Sequence, residues 1–258
     1  MITSTHYLKN IKYIISRHIY EYDMSKSNIS VLYAGGVISK HEYEYYYNLP
    51  KSIREKEIGI RRKDKEFDKI LSDLTQQYRI KFIESNSIDD DRILSIKNDA
   101  LFILDIEPSI TKFDSVVEFV KKNSYTSYFN LNGMELYYNL DLINDIETID
   151  VKGIRDDVLE LHTDYFLNFL CTAFESFQSK PVNDTLKYLS WFYSVYMRRE
   201  LDLGYYREFN SSSKYSLHSK SKFYKFDIID PIYKERLDIS CNMNIIRELY
   251  GIASSLRL

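Results

Sequence analysis

The sequence has 258 residues, 44% of them apolar and 28% charged, with seven Gly and four Pro. That composition excludes wholesale disorder and collagen-like or loop-dominated architectures, and it suits one large domain or two small ones. Lys and Arg number 35 against 38 Asp and Glu, a net charge of -3, so the chain as a whole is not of the strongly basic kind that neutralises phosphates, although a local basic groove stays open.

In chain order, residues 6–24 lead into His18-Ile19-Tyr20-Glu21-Tyr22-Asp23, a run with strand propensity that stops at a carboxylate. Ser25 to Leu32 reads as a short helix closed by Gly35-Gly36. Ser39-Lys40-His41-Glu42 has the form of a capping box and predicts a helix to about Asn48, and Pro50 starts another. From Lys65, the spacing of Phe67, Ile70, Leu71, Leu74, Tyr78 and Phe82 predicts a helix that ends at Ser85-Asn86-Ser87. Arg92–Ile96 and Ala100–Leu104 flank a short polar centre and read as a β-hairpin. A second hairpin is signalled by Asn132-Gly133 between Tyr125–Leu131 and Met134–Leu140.

After about Asp150 the pattern turns helical. One long helix is expected over about 155–178, a second through Leu186, Leu189, Phe192, Tyr193 and Tyr196, and a last one from near Asn242. Residues 214–229 alternate weakly and suggest a hairpin. The expected fold class is therefore α+β, with an antiparallel sheet and helices in residues 1–150 and a mostly helical subdomain in residues 151–258.

Two cysteines, Cys171 and Cys241, occur without any CxxC spacing and read as core filler in a reduced, intracellular protein. Residues 1–10 lack the apolar stretch of a signal peptide, and apolar windows such as Ala100–Ile106 are too short to span a bilayer. A cytoplasmic location without membrane contact is expected. The 24 Tyr, 14 Phe and one Trp, with abundant Ile, Asn and Lys, are what AT-rich codons supply. A virus with an AT-rich genome would account for that bias.

Two segments carry candidate chemistry. Tyr22-Asp23-Met24-Ser25-Lys26-Ser27-Asn28 puts a carboxylate between a strand and a helix start. Ile96-Lys97-Asn98-Asp99-Ala100-Leu101-Phe102 puts another at the turn of an apolar hairpin. If the first strand pairs beside that hairpin, Asp23 and Asp99 converge on one edge. Two oxygen ligands there suit Mg²⁺ (or Mn²⁺), which keeps waters and takes its other ligands from substrate phosphates. On local chemistry alone, Asp23 reads equally well as a helix N-cap and Asp99 as a turn former.

The pair resembles motifs A and C of palm-type, template-directed DNA polymerases of family B in a divergent, reduced form. Asn28-Ile29 stands where that family has Tyr-Pro, and Asp99 stands at the retained second carboxylate of the hairpin motif. The resemblance covers about residues 20–105 and implies a palm-like sheet, a thumb-like helical subdomain and a two-metal nucleotidyltransferase, with Asp23 and Asp99 as metal ligands. It further implies triphosphate contacts from the basic interval between the motifs, where Arg54, Lys56, Arg61 and Arg62 lie; the family's Asn-Ser-x-Tyr-Gly signature is missing there. Glu55, Glu57 and Asp64 make the same interval readable as a solvated helix face.

Further along, Arg198, Arg199, Arg207, Lys222 and Tyr224 belong to a stretch of interleaved basic and aromatic residues, the composition of a nucleic-acid contact surface and equally of ordinary core plus surface. Partners implied by the polymerase reading are nucleic acid, nucleoside triphosphates and a larger replication or transcription complex. The alternative reading is a catalytically inactive, polymerase-like or unrelated protein that binds nucleic acid or another protein.

Overall fold

The computed structural model describes residues 8, 11–97, 99–141, 144, 146–219, 222–226 and 231–257; of residues 219, 222–226 and 231–233 it describes the backbone alone. The class is α+β, as the sequence predicts. Two compact units form, one of His18–Ser124 and one of Ile11–Arg17 with the chain from Tyr125 onward. Two long strands, β1 (Tyr13–Met24) and β5 (Val117–Leu131), contribute residues to each.

In the first unit β1 is followed by α1 (Ser27–Ala34), α2 (Lys40–Asn48), α3 (Lys51–Arg61) and α4 (Lys65–Ser85), then by the hairpin β2 (Ile93–Lys97) and β3 (Ala100–Leu104). A two-residue strand, β4 (Lys112–Phe113), pairs with β5. The sheet order is β2-β3-β1-β5, and β3 runs antiparallel to both β1 and β2.

Ile93, Leu94, Ser95 and Ile96 of β2 and Leu101 to Leu104 of β3 are all buried, so the hairpin is covered on both faces and reads as near-continuous apolar sequence. The apolar stripe of α4 meets this sheet. Phe82 is fully buried and stacks on Phe119 of β5, with ring centroids 4.2 Å apart. The start of α2 is the expected capping box: the Glu42 N–H donates to Ser39 Oγ at 3.2 Å, and the Ser39 N–H donates to Glu42 Oε2 at 2.8 Å. Asp64 caps α4 by accepting from the Glu66 N–H at 2.9 Å.

In the second unit β6 (Met134–Asp141) pairs antiparallel with β5 and with β7 (Ile146–Lys152). The β5–β6 turn is Asn132-Gly133, with φ of 51° and 78°. Positive φ at both central residues is what a tight hairpin turn demands, and Asn-Gly supplies it at least cost. Three helices, α6 (Asn168–Ser179), α7 (Val182–Met197) and α8 (Ser240–Ser255), share an aromatic core with the sheet. Phe129 of β5 stacks on Phe174 at 4.2 Å, and Phe169 on Phe192 at 3.7 Å. A separate hairpin, β8 (Tyr215–Ser219) and β9 (Lys222–Phe226), lies in the 214–229 interval where the sequence suggests one.

The single helix expected over 155–178 is not formed. A four-residue α5 (Asp156–Leu159), one 3₁₀ turn (Glu160–His162) and a widened turn (Thr163–Leu167) precede α6, and Tyr165 leaves helical geometry at φ −128°, ψ −109°. The break seats the Tyr165 ring against Gly204, where a Cβ would lie 2.5 Å from three ring carbons. A partner some 40 positions away thus overrides an apolar spacing that continues through the break. Cys171 is buried in the core as expected, whereas Cys241 is only half-buried. Among the described residues no helix is long and apolar enough to cross a membrane.

Candidate functional site

Asp23 is the penultimate residue of β1 and faces Ala100, the first residue of β3, across the antiparallel pair. Asp99 immediately precedes Ala100 in the β2–β3 turn, and its carbonyl accepts from the Met24 N–H at 3.2 Å. The two aspartates are therefore brought to one end of the same strand pair, beside a hairpin, β2–β3, that is buried on both faces.

Of the two local roles that the sequence leaves open, Asp23 does not take its own, whereas Asp99 does stand in the turn. The N-cap of α1 is Lys26, in left-handed geometry at φ 46°, so Asp23 does not cap that helix. The Asp99 carboxylate accepts from Ser27 Oγ at 2.9 Å, a bond that spans 72 positions of the chain.

The electrostatics link the pair. Burial first, and next the charge of Asp99, raise the Asp23 carboxyl above the ordinary aspartate range, with Lys122 and Lys51 pulling the other way. Lys122 Nζ of β5 lies 4.0 Å from Asp23 Oδ2. Glu21, two positions back on the same face of β1, is buried and accepts from Asn123 Nδ2 at 3.0 Å.

Arg79 lies on α4. Its side chain is 8% exposed, its Nε is buried without a hydrogen-bond partner, and among the described residues it has no carboxylate within ion-pair distance. Burial lowers its pKa, and the charge of Asp99 works against that shift. Among the described residues, no group of three or more His, Cys, Asp or Glu is placed to hold a metal ion. The available set is thus two carboxylates, a number that fits Mg²⁺, which binds through one or two carboxylates and fills its shell with water and phosphate oxygens.

The expected triphosphate contacts lie on or just after α3 and are engaged locally. Arg54 Nη1 donates to the Leu49 carbonyl at 3.3 Å, Arg61 pairs with Glu42 at 3.7 Å and covers the Phe67 ring, and Arg62 Nε donates to Asp68 at 2.5 Å. Lys56 is exposed. Among the described residues none of the four forms a hydrogen bond or ion pair with Asp23 or Asp99. Lys51–Glu55 is an i,i+4 pair on the same helix, as a solvated helix face would have.

The basic and aromatic stretch of the second unit is likewise held internally. Arg198 forms a two-pronged pair with Glu200 at 2.6 and 2.8 Å, and Arg199 donates to the Leu237 carbonyl at 3.3 Å. Arg207 donates to the Ser213 carbonyl at 3.2 Å and stacks over Tyr215. Lys222 and Tyr224 stand on β9, and their side chains lie outside the described residues.

Sequence reasoning missed Arg79, Lys122 and Ser27. Arg79 had a signal, since it sits three residues before Phe82 and eight after Leu71, on the apolar stripe of α4, where a cation is out of pattern. Lys122 had none, because strand pairing alone brings it to Asp23.

Compared with known families, residues 3–255 match the one described as Bacteriophage PBS1 gene 130 protein. The chain belongs to that family. Comparison with curated proteins gives no match. The PBS1 gene 130 family is a phage family, which agrees with the viral origin expected from the composition, and its description names no activity.

Proposed function

We propose that the Asp23–Asp99 end of the first unit is a divalent-cation site for nucleotidyl transfer, as the family B palm resemblance implies, with extension of a primer on a nucleic-acid template as the reaction. The observation that supports the proposal is that two aspartates 76 positions apart stand at the same end of the β1–β3 pair, Asp23 next to the strand end and Asp99 in the hairpin turn, and that Asp23 does not cap the helix that follows it. Asp23 and Asp99 would hold Mg²⁺ or Mn²⁺. Bound there, such ions activate an attacking oxygen and stabilise the leaving phosphate.

The protein's own part is to orient the carboxylates. The doubly buried hairpin fixes the Asp99 backbone, and Ser27 holds its side chain through the 2.9 Å bond. Arg54, Lys56, Arg61 and Arg62 are the proposed triphosphate contacts and would exchange local partners for phosphate. Arg198, Arg199, Arg207, Lys222 and Tyr224 are the proposed nucleic-acid contacts. A larger replication or transcription complex is the proposed assembly, and the cytoplasm its place.

The second reading is a catalytically silent protein that binds nucleic acid or another protein. It is favoured by the cation already beside Asp23, Lys122, and by the local pairing of Arg61, Arg62 and Arg198. Primer extension by the purified protein with Mg²⁺ separates the two. Asp99→Asn is expected to lower extension by roughly two orders of magnitude. Extension that is unchanged in that variant removes the metal role, and no extension by the native protein leaves the binding reading.

A further inference from the structure

In the second unit β7 is an end strand: among the described residues it pairs with β6 and with no other strand. Among the described residues, positions 146–151 form no backbone–backbone hydrogen bond outside that pair. Alternate residues of such a strand point their N–H and C=O groups away from the single neighbour, so β7 offers a row of them along its open side. Proteins ordinarily blunt an edge of this kind with a bulge, a proline, burial or outstanding charges. β2, an end strand of the first unit, is blunted by a register shift between Ile93 and Ser95 and by burial of its first four residues. β7 is not. Its seven residues pair with β6 in unbroken register, it holds no Pro or Gly, and Ile146, Thr148, Ile149 and Val151 are β-branched. Its carboxylates are drawn back onto their own sheet. Glu147 accepts from Tyr138 Oη at 2.8 Å, and Asp150 accepts from Tyr125 Oη at 3.1 Å and pairs with Lys152.

We infer that this edge is an interface between two copies of the chain, in which β7 of one copy pairs antiparallel with β7 of the other about a two-fold axis at Ile149. The inference is independent of the cation site proposed above. A two-fold axis normal to the sheet keeps like faces together, so residues of the same side-chain face are opposed. With the axis at Ile149 the whole strand is paired: Ile149 meets its own copy, Thr148 meets Asp150, Glu147 meets Val151 and Ile146 meets Lys152. No like charges are opposed, and each Thr148 hydroxyl faces a carboxylate to which it can donate. The neighbouring registers are poorer. An axis at Asp150 sets two carboxylates against each other, and an axis at Thr148 leaves Val151 and Lys152 without a partner. The strand is thus complementary to itself in one register, which is what pairing with a second copy requires.

The test is sedimentation velocity of the full chain at loadings from about 1 to about 100 μM. The native protein is expected to show a concentration-dependent dimer. Ile146 is 55% exposed, so a charge placed there leaves the core of the chain intact. Ile146→Lys opposes lysine to Lys152 of the other copy twice over and is expected to weaken the dimer several-fold, whereas Ile146→Glu opposes unlike charges and is expected to tighten it several-fold. Within one chain the signs are reversed, because Asp141 of β6 faces position 146, so a change in strand stability alone does not give that order. Ile149→Cys brings two thiols together at the axis, within disulfide reach, and is expected to yield a covalent dimer on mild oxidation. Glu147→Cys, whose two copies stand four residues out of register and about 13 Å apart, is expected to yield none, as is the native chain. A monomer throughout that concentration range overturns the inference. So does a dimer indifferent to both charges at position 146, or a covalent dimer formed through position 147 as readily as through position 149.

Discussion

Single side chains in this protein show how burial decides chemistry. His162 is fully buried in the second unit, with Nε2 2.7 Å from Ser213 Oγ and Nδ1 without a partner. Burial, and next the charge of Arg207, push its pKa down to about 4 from the ordinary 6.5. The folded ring is thus neutral where the unfolded ring begins to take up a proton. Between pH 6.5 and 4 the unfolded chain binds more protons, so this residue's contribution to stability is fully present above 6.5 and is lost as the pH falls toward 4. The loss amounts to roughly 3 kcal/mol over the interval. Urea denaturation of the native protein and of His162→Gln at steps from pH 7 to 4.5 measures it. The expected outcome is a shallower decline in the variant, whatever its absolute stability, and parallel profiles refute the assignment.

Legibility at this scale followed sequence locality. Asp23 and Asp99 were findable because each sits where a strand meets a turn, and the pattern of apolar runs predicts those junctions. Arg79 was half visible as a cation on an apolar stripe, and Lys122 was invisible, since nothing near it in the chain refers to Asp23. The basic residues of α3 mislead in the opposite sense. Arg61 and Arg62 look available in the sequence, yet Glu42 and Asp68 take them up after folding.

Whole elements repeat that division. α2, α4 and the β5–β6 hairpin carry their own instructions: a capping box at Ser39, an Asp64 N-cap, Asn132-Gly133 at a turn. The 155–178 segment carries a helical stripe with no internal stop signal, and the stop comes from outside it, where the Tyr165 ring packs on Gly204 and meets Tyr205 edge-on with centroids 5.6 Å apart. The glycine at 204 is therefore a condition of the break. A methyl group placed 2.5 Å from three ring carbons cannot be accommodated without moving the ring or the 3₁₀ turn Leu203–Tyr206. Gly204→Ala is expected to cost about 1–3 kcal/mol, in the range of overpacked cores. Chemical denaturation measures that cost. A double variant with Tyr165→Ala, which removes the clashing ring, should recover part of the loss relative to Tyr165→Ala alone. Equal penalties for Gly204→Ala in both backgrounds would place the cause in the glycine backbone and not in the ring.

At the largest scale, two cores form among the described apolar residues, one in each unit. The first centres on Phe82, Phe113 and Phe119, and the second on Phe129, Phe169, Phe174 and Phe192. Truncating a fully packed Phe ordinarily costs about 3–5 kcal/mol. Where two cores exist, that loss is felt first by the amides that the truncated core protects. Phe192→Ala, which removes the ring stacked 3.7 Å from Phe169, should speed hydrogen exchange in α6, α7 and α8 while amides of β2 and β3 keep most of their protection. Phe82→Ala, which removes the ring stacked on Phe119, should do the reverse. The comparison bears directly on the candidate site, because Asp23 and Asp99 take their positions from β1, β2 and β3. If their geometry depends on the first core alone, Mn²⁺ binding survives Phe192→Ala at a temperature where that variant is folded, and it falls in Phe82→Ala together with β2–β3 protection. If instead Phe192→Ala lowers protection in β2 and β3 by the same free energy as in α7, the two cores unfold as one, and the site is held by the chain as a whole.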